Sequence, residues 1–341
     1  MTLTPRVLVM TRHFSERMDP VEAKLREMGV PVGVLDIDGL MLGRGKISTE
    51  HNGATQCLRF TDARTGQRMT DEQVTGIWLH DVSFVQVPME KMIDGRDGRA
   101  YVEHIGQCEA WMTVMAAVGA ASHGRVCLPN PMFTYLNTPL RHLQLARRLG
   151  IPTLTLCATR GPGPVYDLLS TTTGHLRRVP FRRFAFRYRE KKYLSTESII
   201  EADRSYALGW IRGAEVFTEW PESWCWYRIA RLGGKTWSIR IALKDQVQSA
   251  QITDIAYHAA RDQLDVTSEP APSEMASAFE LLCQNTESPY LVADFVQDLE
   301  GDRPWYFNAL SAREKLTLFD GVGLDLSAHI ARWLESGECP N

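Results

Sequence analysis

The sequence lacks the marks of several large functional classes. Its seven cysteines stand alone at positions 57, 108, 127, 157, 225, 283 and 339, with no CxxC pair. An odd, scattered set of thiols excludes a disulfide framework or a structural zinc site and fits a reducing compartment. The nine histidines show no HxxxH or HxH spacing, and no serine lies in a GxSxG elbow. Zincin and α/β-hydrolase chemistry are therefore not indicated. The longest apolar run, Trp111 to Ala121, is too short to span a bilayer, and no charged-then-apolar signal opens the chain. A net charge of -3 excludes a general nucleic-acid coat. What remains is a cytoplasmic protein of 341 residues, 44% hydrophobic and 23% charged, long enough for about two domains.

Two phosphate-loop mimics fail. Gly234-Lys235-Thr236 ends like such a loop, but Ile229 sits where its first glycine must be, and a strand pattern follows. Gly43-Arg44-Gly45-Lys46 is followed by Ile47 where a Ser or Thr is needed.

Periodicity gives an α/β opening. Arg6 to Thr11 reads as a buried strand, Asp19 caps a helix through Val21, Leu25 and Met28 that stops at Gly29, and Val30 to Ile37 is a second strand. This order implies a right-handed parallel crossover. Cys57 to Phe60 and Arg68 to Thr70 form a hairpin, Gly76 to Leu79 resumes the sheet, and Arg99 to Ala121 is a long helix. A second section starts near Pro129. In it Pro139 opens a helix that Gly150 closes, Pro152 to Ala158 is a strand, and a short helix surrounds Val165 to Ser170. Ser195 to Ala202 is predicted to be a capped helix. From Ala214 the chain turns to β structure. Glu215 to Phe217, Tyr227 to Leu232 and Thr236 to Leu243 are strands, the last two joined at Gly233-Gly234. Asp265 to Glu274 is predicted to be a polar loop, followed by a helix from Met275, a hairpin of Tyr290–Gln297 with Pro304–Phe307, and a closing helix at Leu326–Leu334.

Two clusters carry possible chemistry on their own. His80-Asp81, after the third strand, is a ligand pair, a base with its orienting acid, or simply a capped strand end. Arg177 to Lys192 holds eight basic residues against one acid, Glu190, with Phe181, Phe184, Phe186, Tyr188 and Tyr193 between them. Such alternation suits phosphates or an acidic peptide, a nucleic-acid strand, or a solvated sheet edge protected by charge.

The order of pieces has a counterpart. Asn137-Thr138-Pro139 through Ala146 with Leu149-Gly150-Ile151-Pro152 resembles the start of the central domain of ATP-grasp ligases. Glu215 to Trp220 resembles the hinge strand that holds adenine, Tyr227 to Trp237 the hairpin with its arginine, and Leu291 to Phe295 with Tyr306-Phe307-Asn308 the metal-binding hairpin. Length and order most resemble the microviridin-type (graspetide) peptide macrocyclases. The resemblance implies an ATP-grasp-like α/β fold: a doubly wound parallel-sheet domain (1–128), a central α+β subdomain (129–210) and a C-terminal antiparallel-sheet subdomain (211–341).

It also implies ATP and Mg2+ as cofactors and a peptide or amino-acid substrate, whose carboxylate is phosphorylated and then attacked by an amine or hydroxyl. Asp294 and Asn308 match the metal ligands, Arg228 the arginine near the transferred phosphate, and Arg240 a further basic position. Glu219 and Trp220 match the adenine hinge. Three positions depart from the pattern: Tyr306 replaces the central metal-binding glutamate, Trp226 the ribose-binding acid, and Thr138 a lysine. No Lys-Pro strand is visible, and Arg182, Arg183 or Arg187 stands in for its lysine. The resemblance also makes a homodimer plausible and leaves nucleic acid an unlikely partner. Three readings follow: an ATP-dependent ligase, a catalytically degenerate relative that binds a peptide or partners an active ligase, and nucleic-acid binding through Arg177 to Lys192.

Overall fold

The computed structural model describes residues 5–11, 18–37, 46–52, 55–80, 124–130, 139–159, 163–171, 175–180, 185–188, 191–194, 198–201, 215–221, 224–244, 255–259, 261–286, 288–299, 305–311 and 316–339. The chain opens with β1 (Val7–Thr11), α1 (Pro20–Glu27), β2 (Val32–Asp36), β3 (Ile47–Asn52), β4 (Thr55–Thr61), β5 (Arg68–Thr70), β6 (Gly76–His80) and β7 (Val126–Leu128). Four of these strands form a parallel sheet in the order β2-β1-β6-β7. Its strands are apolar without alternation because both faces are covered. Val7, Val9, Val34 and Trp78 pack to one side, and Leu8, Met10, Leu35 and Ile77 to the other. The second side is closed, among the described residues, by the antiparallel sheet β3-β4-β5 through Leu58, Phe60 and Met69. The helix expected over Arg99–Ala121 lies outside the described residues. Asp19 caps α1 as its sequence position predicts, accepting from the backbone of Val21 and Glu22.

The middle section contains α2 (Pro139–Arg148), β8 (Leu156–Thr159), α3 (Gly163–Thr171), β9 (His175–Pro180), β10 (Ala185–Tyr188), β11 (Lys191–Leu194), β12 (Ser198–Glu201) and β13 (Glu215–Glu219). Strands β12-β9-β13-β8 make an antiparallel sheet, and β10 and β11 a separate hairpin. The helix predicted at 195–202 is instead strand β12, with Ile199 opposite Arg177. A four-residue segment with two adjacent isoleucines gains more from an open strand edge than from one isolated helical turn.

The last section runs β14 (Trp224–Leu232), β15 (Lys235–Leu243), α4 (Ile255–Ala259), β16 (Leu264–Ser268), α5 (Ser273–Thr286), β17 (Tyr290–Asp298), β18 (Trp305–Ser311), α6 (Thr317–Asp320) and α7 (Leu326–Ser336). Its five-stranded antiparallel sheet has the order β16-β15-β14-β17-β18. The polar loop predicted from Asp265 begins as strand β16, because Val266 pairs with Ile241 on the free edge of β15. The outer face of this sheet packs on α2 and α5 through Leu143, Ala146, Met275 and Phe279. The inner face shares one continuous core with the N-terminal sheet.

The closing helix crosses the boundary drawn from sequence. The helix α7 lies against α1, β6 and β7, while its His329 ring stands 5.1 Å from Trp237 of β15. A Cβ on Gly76 would stand 2.4 Å from the Leu334 carbonyl oxygen, and Thr75 Oγ1 donates to that same oxygen at 2.9 Å. Gly76→Val is therefore expected to push α7 off the sheet and cost about 1–3 kcal/mol, measured as a lower midpoint in urea. Thr75→Ser, which keeps the hydroxyl, leaves the midpoint near its starting value.

Candidate functional site

Alternation along β14 and β17 decides what faces the inner core. Trp224, Trp226, Ala230, Tyr290, Val292 and Val296 point inward, whereas Cys225, Tyr227, Ile229, Leu291, Ala293 and Phe295 point outward. Arg228 and Asp294 share the inward parity and stand directly opposite each other across the strand pair. Arg228 Nε and Nη2 donate to Asp294 Oδ1 and Oδ2 at 2.7 and 2.9 Å. Both residues are buried, at 1% and 6% exposure. A bidentate, buried pair of this kind is held only where both partners stay.

Asn308 reaches the same place through a backbone irregularity. Asp294 pairs with Ala309 and Phe295 with Phe307, which leaves Asn308 as the extra residue of a β-bulge beside Asp294. A bulge re-aims the side chain it carries. Asn308 is buried, and its Oδ1 has no hydrogen-bond partner among the described residues. A carboxylate and an amide oxygen on paired strands are the donor chemistry a magnesium ion takes, since that ion needs one or two protein oxygen ligands and shares the rest with phosphates and water. These residues fit the ion on one condition. Arg228 cancels the charge of Asp294, and Tyr306, packed against the inner core, adds none. Among the described residues no group of three His, Cys, Asp or Glu side chains gathers as a metal site. The cation therefore fits when it arrives with its own polyanion, not alone.

The hinge end is built from indoles. Trp226 stacks on Trp224 with centroids 5.2 Å apart and meets Trp220 edge-on at 6.2 Å. All three rings are buried, and among the described residues the indole nitrogens of Trp220 and Trp226 have no acceptor. Arg177 on β9, opposite Thr218 of the hinge strand, lays its guanidinium 4.3 Å over the Trp220 ring, a cation–π contact. Sequence reasoning counted Arg177 only within the basic run. No spacing in the sequence singled it out from the arginines that follow.

The remaining predicted residues are placed as follows. Glu219 ends β13 half-buried, and its backbone N–H donates to the Thr155 carbonyl at 2.9 Å. Arg187 lies on β10 opposite Lys192, and Arg182 and Thr138 lie outside the described residues. Arg240 stands opposite Tyr227, so it belongs to the outer face and is not brought to Arg228 and Asp294. There it sits beside Cys225 and Glu269, and the Tyr227 hydroxyl donates to Glu269 at 2.8 Å. Burial, with that carboxylate, pushes the Tyr227 phenol up to about 12.

One buried histidine braces the bulge. His142 of α2 accepts the Leu310 N–H at 3.4 Å through Nδ1, two residues beyond Asn308. Burial lowers its pKa from 6.5 to about 4. The folded state thus holds it neutral while the unfolded chain protonates it near pH 6.5. Its contribution is full above that pH and is lost as pH falls from about 6.5 to 4, on the order of 3 kcal/mol in all. Urea titrations at pH 7 and pH 4 are expected to differ by less in His142→Gln than in the parent chain.

No protein-family model and no curated protein matches the sequence. Solved structures do. The chain is similar to a Chryseobacterium gregarium RiPP-associated ATP-grasp ligase in complex with ADP and a leader and core peptide, at TM-score 0.75 and 16% identity, over 99% of this chain and 98% of that one. It is similar to the macrocyclase MdnC from Microcystis aeruginosa MRC, bound with precursor peptide MdnA, at TM-score 0.71 and 18% identity, over 97% and 100%. The D-cycloserine synthetase DcsG shares the fold at TM-score 0.53 and 12% identity, over 96% and 99%. The chain has the ATP-grasp fold, with its parallel and antiparallel sheets in the order the sequence predicted.

Proposed function

We propose that this ATP-grasp chain is an ATP-dependent ligase that joins a carboxylate of a peptide to an amine or hydroxyl through an acyl phosphate. The observation that carries it is the buried Arg228–Asp294 pair on the inner face of the C-terminal sheet, with the buried Asn308 at the bulge of the strand paired to Asp294. Asp294 and Asn308 would hold Mg2+, which supplies charge neutralisation at the phosphate oxygens. Arg228 is placed to pass one N–H from Asp294 to the phosphoryl group as negative charge develops there. The Glu219–Trp220 segment faces the base, with Arg177 as the cation at the hinge and Arg182 and Arg187 available to the phosphates or to an acidic peptide. Two of the similar structures hold precursor peptides, which supports a peptide as the partner here.

The zero net charge of the Arg228–Asp294 pair sets an order of binding. Magnesium alone is expected to leave the melting temperature unchanged, and ATP with magnesium to raise it by several degrees, since a ligand at a hundredfold over its Kd adds about 2.7 kcal/mol. A thermal-shift titration checks both halves. Stabilisation by magnesium alone contradicts the charge argument, and no response to millimolar Mg–ATP contradicts the ligase. The packed indoles at 220, 224 and 226 favour the second reading, a degenerate relative that holds a peptide without turning over ATP. That reading predicts no nucleotide shift but a shift with an acidic peptide.

A further inference from the structure

Strand β18 changes phase at Asn308, and the two acceptors that meet the change both come from the α2 segment. Phe307 and Leu310 pack into the same outer core, with Leu143 and Ala146 of α2. Side chains three apart on an unbroken strand point to opposite faces, so one residue between them is extra. The backbone donors show the same offset. The Phe307 N–H donates to the Pro152 carbonyl at 2.8 Å, and the Leu310 N–H to His142 Nδ1 at 3.4 Å. Both leave β18 on the side away from β17, where Thr153 bridges to Phe307. On an unbroken strand the N–H groups of one side recur at every second residue, and that of Leu310 would turn to β17. The inserted residue is Asn308. Coming directly after the outward Phe307, it lies on the inner side, the side of Asp294.

One structural piece holds both acceptors. His142 sits in the first half of α2 and is 5% exposed, and Pro152 follows the end of that helix. Gly150, at φ 72°, turns the chain there as the Ile151 N–H donates to the Ala146 carbonyl at 2.9 Å, a left-handed turn that suits glycine. Arg147 Nε then donates to Thr153 Oγ1 at 3.0 Å and fixes the outgoing segment. The helix thus presents two acceptors at the three-residue spacing of the bulged strand. Without the bulge, one of two misplacements follows. A strand that keeps Phe307 outward turns Leu310, buried here, to the inner face. One that keeps Leu310 outward turns Asn308 outward. Either way one of the two acceptors is left without its donor.

We infer that His142 is a positioning residue of the magnesium site: by accepting the Leu310 N–H it holds β18 in the register that keeps Asn308 on the side of Asp294. This inference rests on the ligase reading above, in which Asp294 and Asn308 hold the ion. The action of His142 runs through the strand backbone and not through contact with the ion. Because Nδ1 accepts, the ring hydrogen is on Nε2, and only an acceptor at the Nδ1 position can take its place. Asparagine carries its Oδ1 on the same carbon as Nδ1, whereas glutamine carries its oxygen one bond farther out.

The test follows magnesium binding and not turnover. The melting temperature of the full chain is measured at saturating ATP as Mg2+ is raised, which gives the Mg2+ concentration for half of the shift. In His142→Gln and His142→Leu that concentration is expected to rise about 10–100-fold, the usual effect of losing a partner behind a metal ligand, and amide exchange at Leu310 to quicken. His142→Asn is expected to restore both. Asn308→Ala raises the concentration as well, and adding His142→Gln to it raises it no further, since no ligand is then left to hold in place. Gln and Leu variants that melt lower yet keep the parent's magnesium requirement assign His142 to stability alone and overturn the positioning role, leaving the ligase standing. So do a His142→Asn chain as impaired as His142→Gln, and a double variant in which the two losses multiply. A parent chain with no response to Mg–ATP overturns the ligase reading, and the positioning role with it.

Discussion

Asp294→Ala is expected to destabilise the protein by about 3–5 kcal/mol and to abolish ATP turnover. The stability loss comes from the partner left behind: Arg228 is 1% exposed, and a guanidinium that loses its bidentate carboxylate at such depth is a poorly compensated buried charge. Asp294→Asn keeps the volume but removes the charge, so it is expected to lose most of that stability as well. The double replacement Arg228→Met with Asp294→Leu separates the two roles. Removing both charges in favour of apolar side chains of similar size is often neutral, so the double variant should recover most of the stability while remaining inactive. Urea denaturation of the parent, Arg228→Met, Asp294→Leu and the double variant, treated as a double-mutant cycle, checks the pair. A single variant within about 0.5 kcal/mol of the parent would show that the pair is not buried.

Trp226→Ala carries the second large effect. The ring is 2% exposed and lies between Trp224 and Trp220, so truncation removes a large apolar surface and opens a cavity worth about 3–5 kcal/mol. The neighbouring indoles and the Arg177 contact on Trp220 loosen with it. Trp226→Phe should cost much less than its lost volume suggests. It retains a stacking ring and deletes an indole N–H that is buried without an acceptor, and such a group carries a penalty of about 1–3 kcal/mol. Urea midpoints and near-ultraviolet circular dichroism distinguish the two variants. If Trp226→Ala proved as stable as Trp226→Phe, the cluster would not be packed as described.

The strands were legible wherever composition left one answer. Val7–Met10 and Val32–Leu35 are apolar on every residue because both faces of a parallel sheet are covered, and Gly233-Gly234 marks the two-residue turn between β14 and β15. Boundaries failed where a local preference met an open sheet edge. Residues 198–201 and 264–268 look helical or loop-like on their own, yet each completes a sheet whose neighbouring strand would otherwise expose unpaired backbone groups.

The site was half legible. The two-residue spacing places Trp226 and Arg228 on one face of a strand, and Asp294 follows once β14 and β17 pair. Arg240 lies on a strand of the same hairpin but has the opposite parity, and only the register with Tyr227 reveals it.

The amino-acid order alone determined most of the segment types and the succession of parallel then antiparallel sheets, and it singled out Arg228, Asp294 and Asn308 as candidates, because side-chain periodicity and turn chemistry act over a few residues. Tertiary structure decided the rest. It set the bulge at Asn308 on the strand paired to Asp294, the burial of Arg177 on an indole, the packing of α7 on the first sheet and the meeting of Asp19 with His80. Each depends on groups far apart in the chain, whose contact is fixed by how whole sheets and helices pack and not by any local preference.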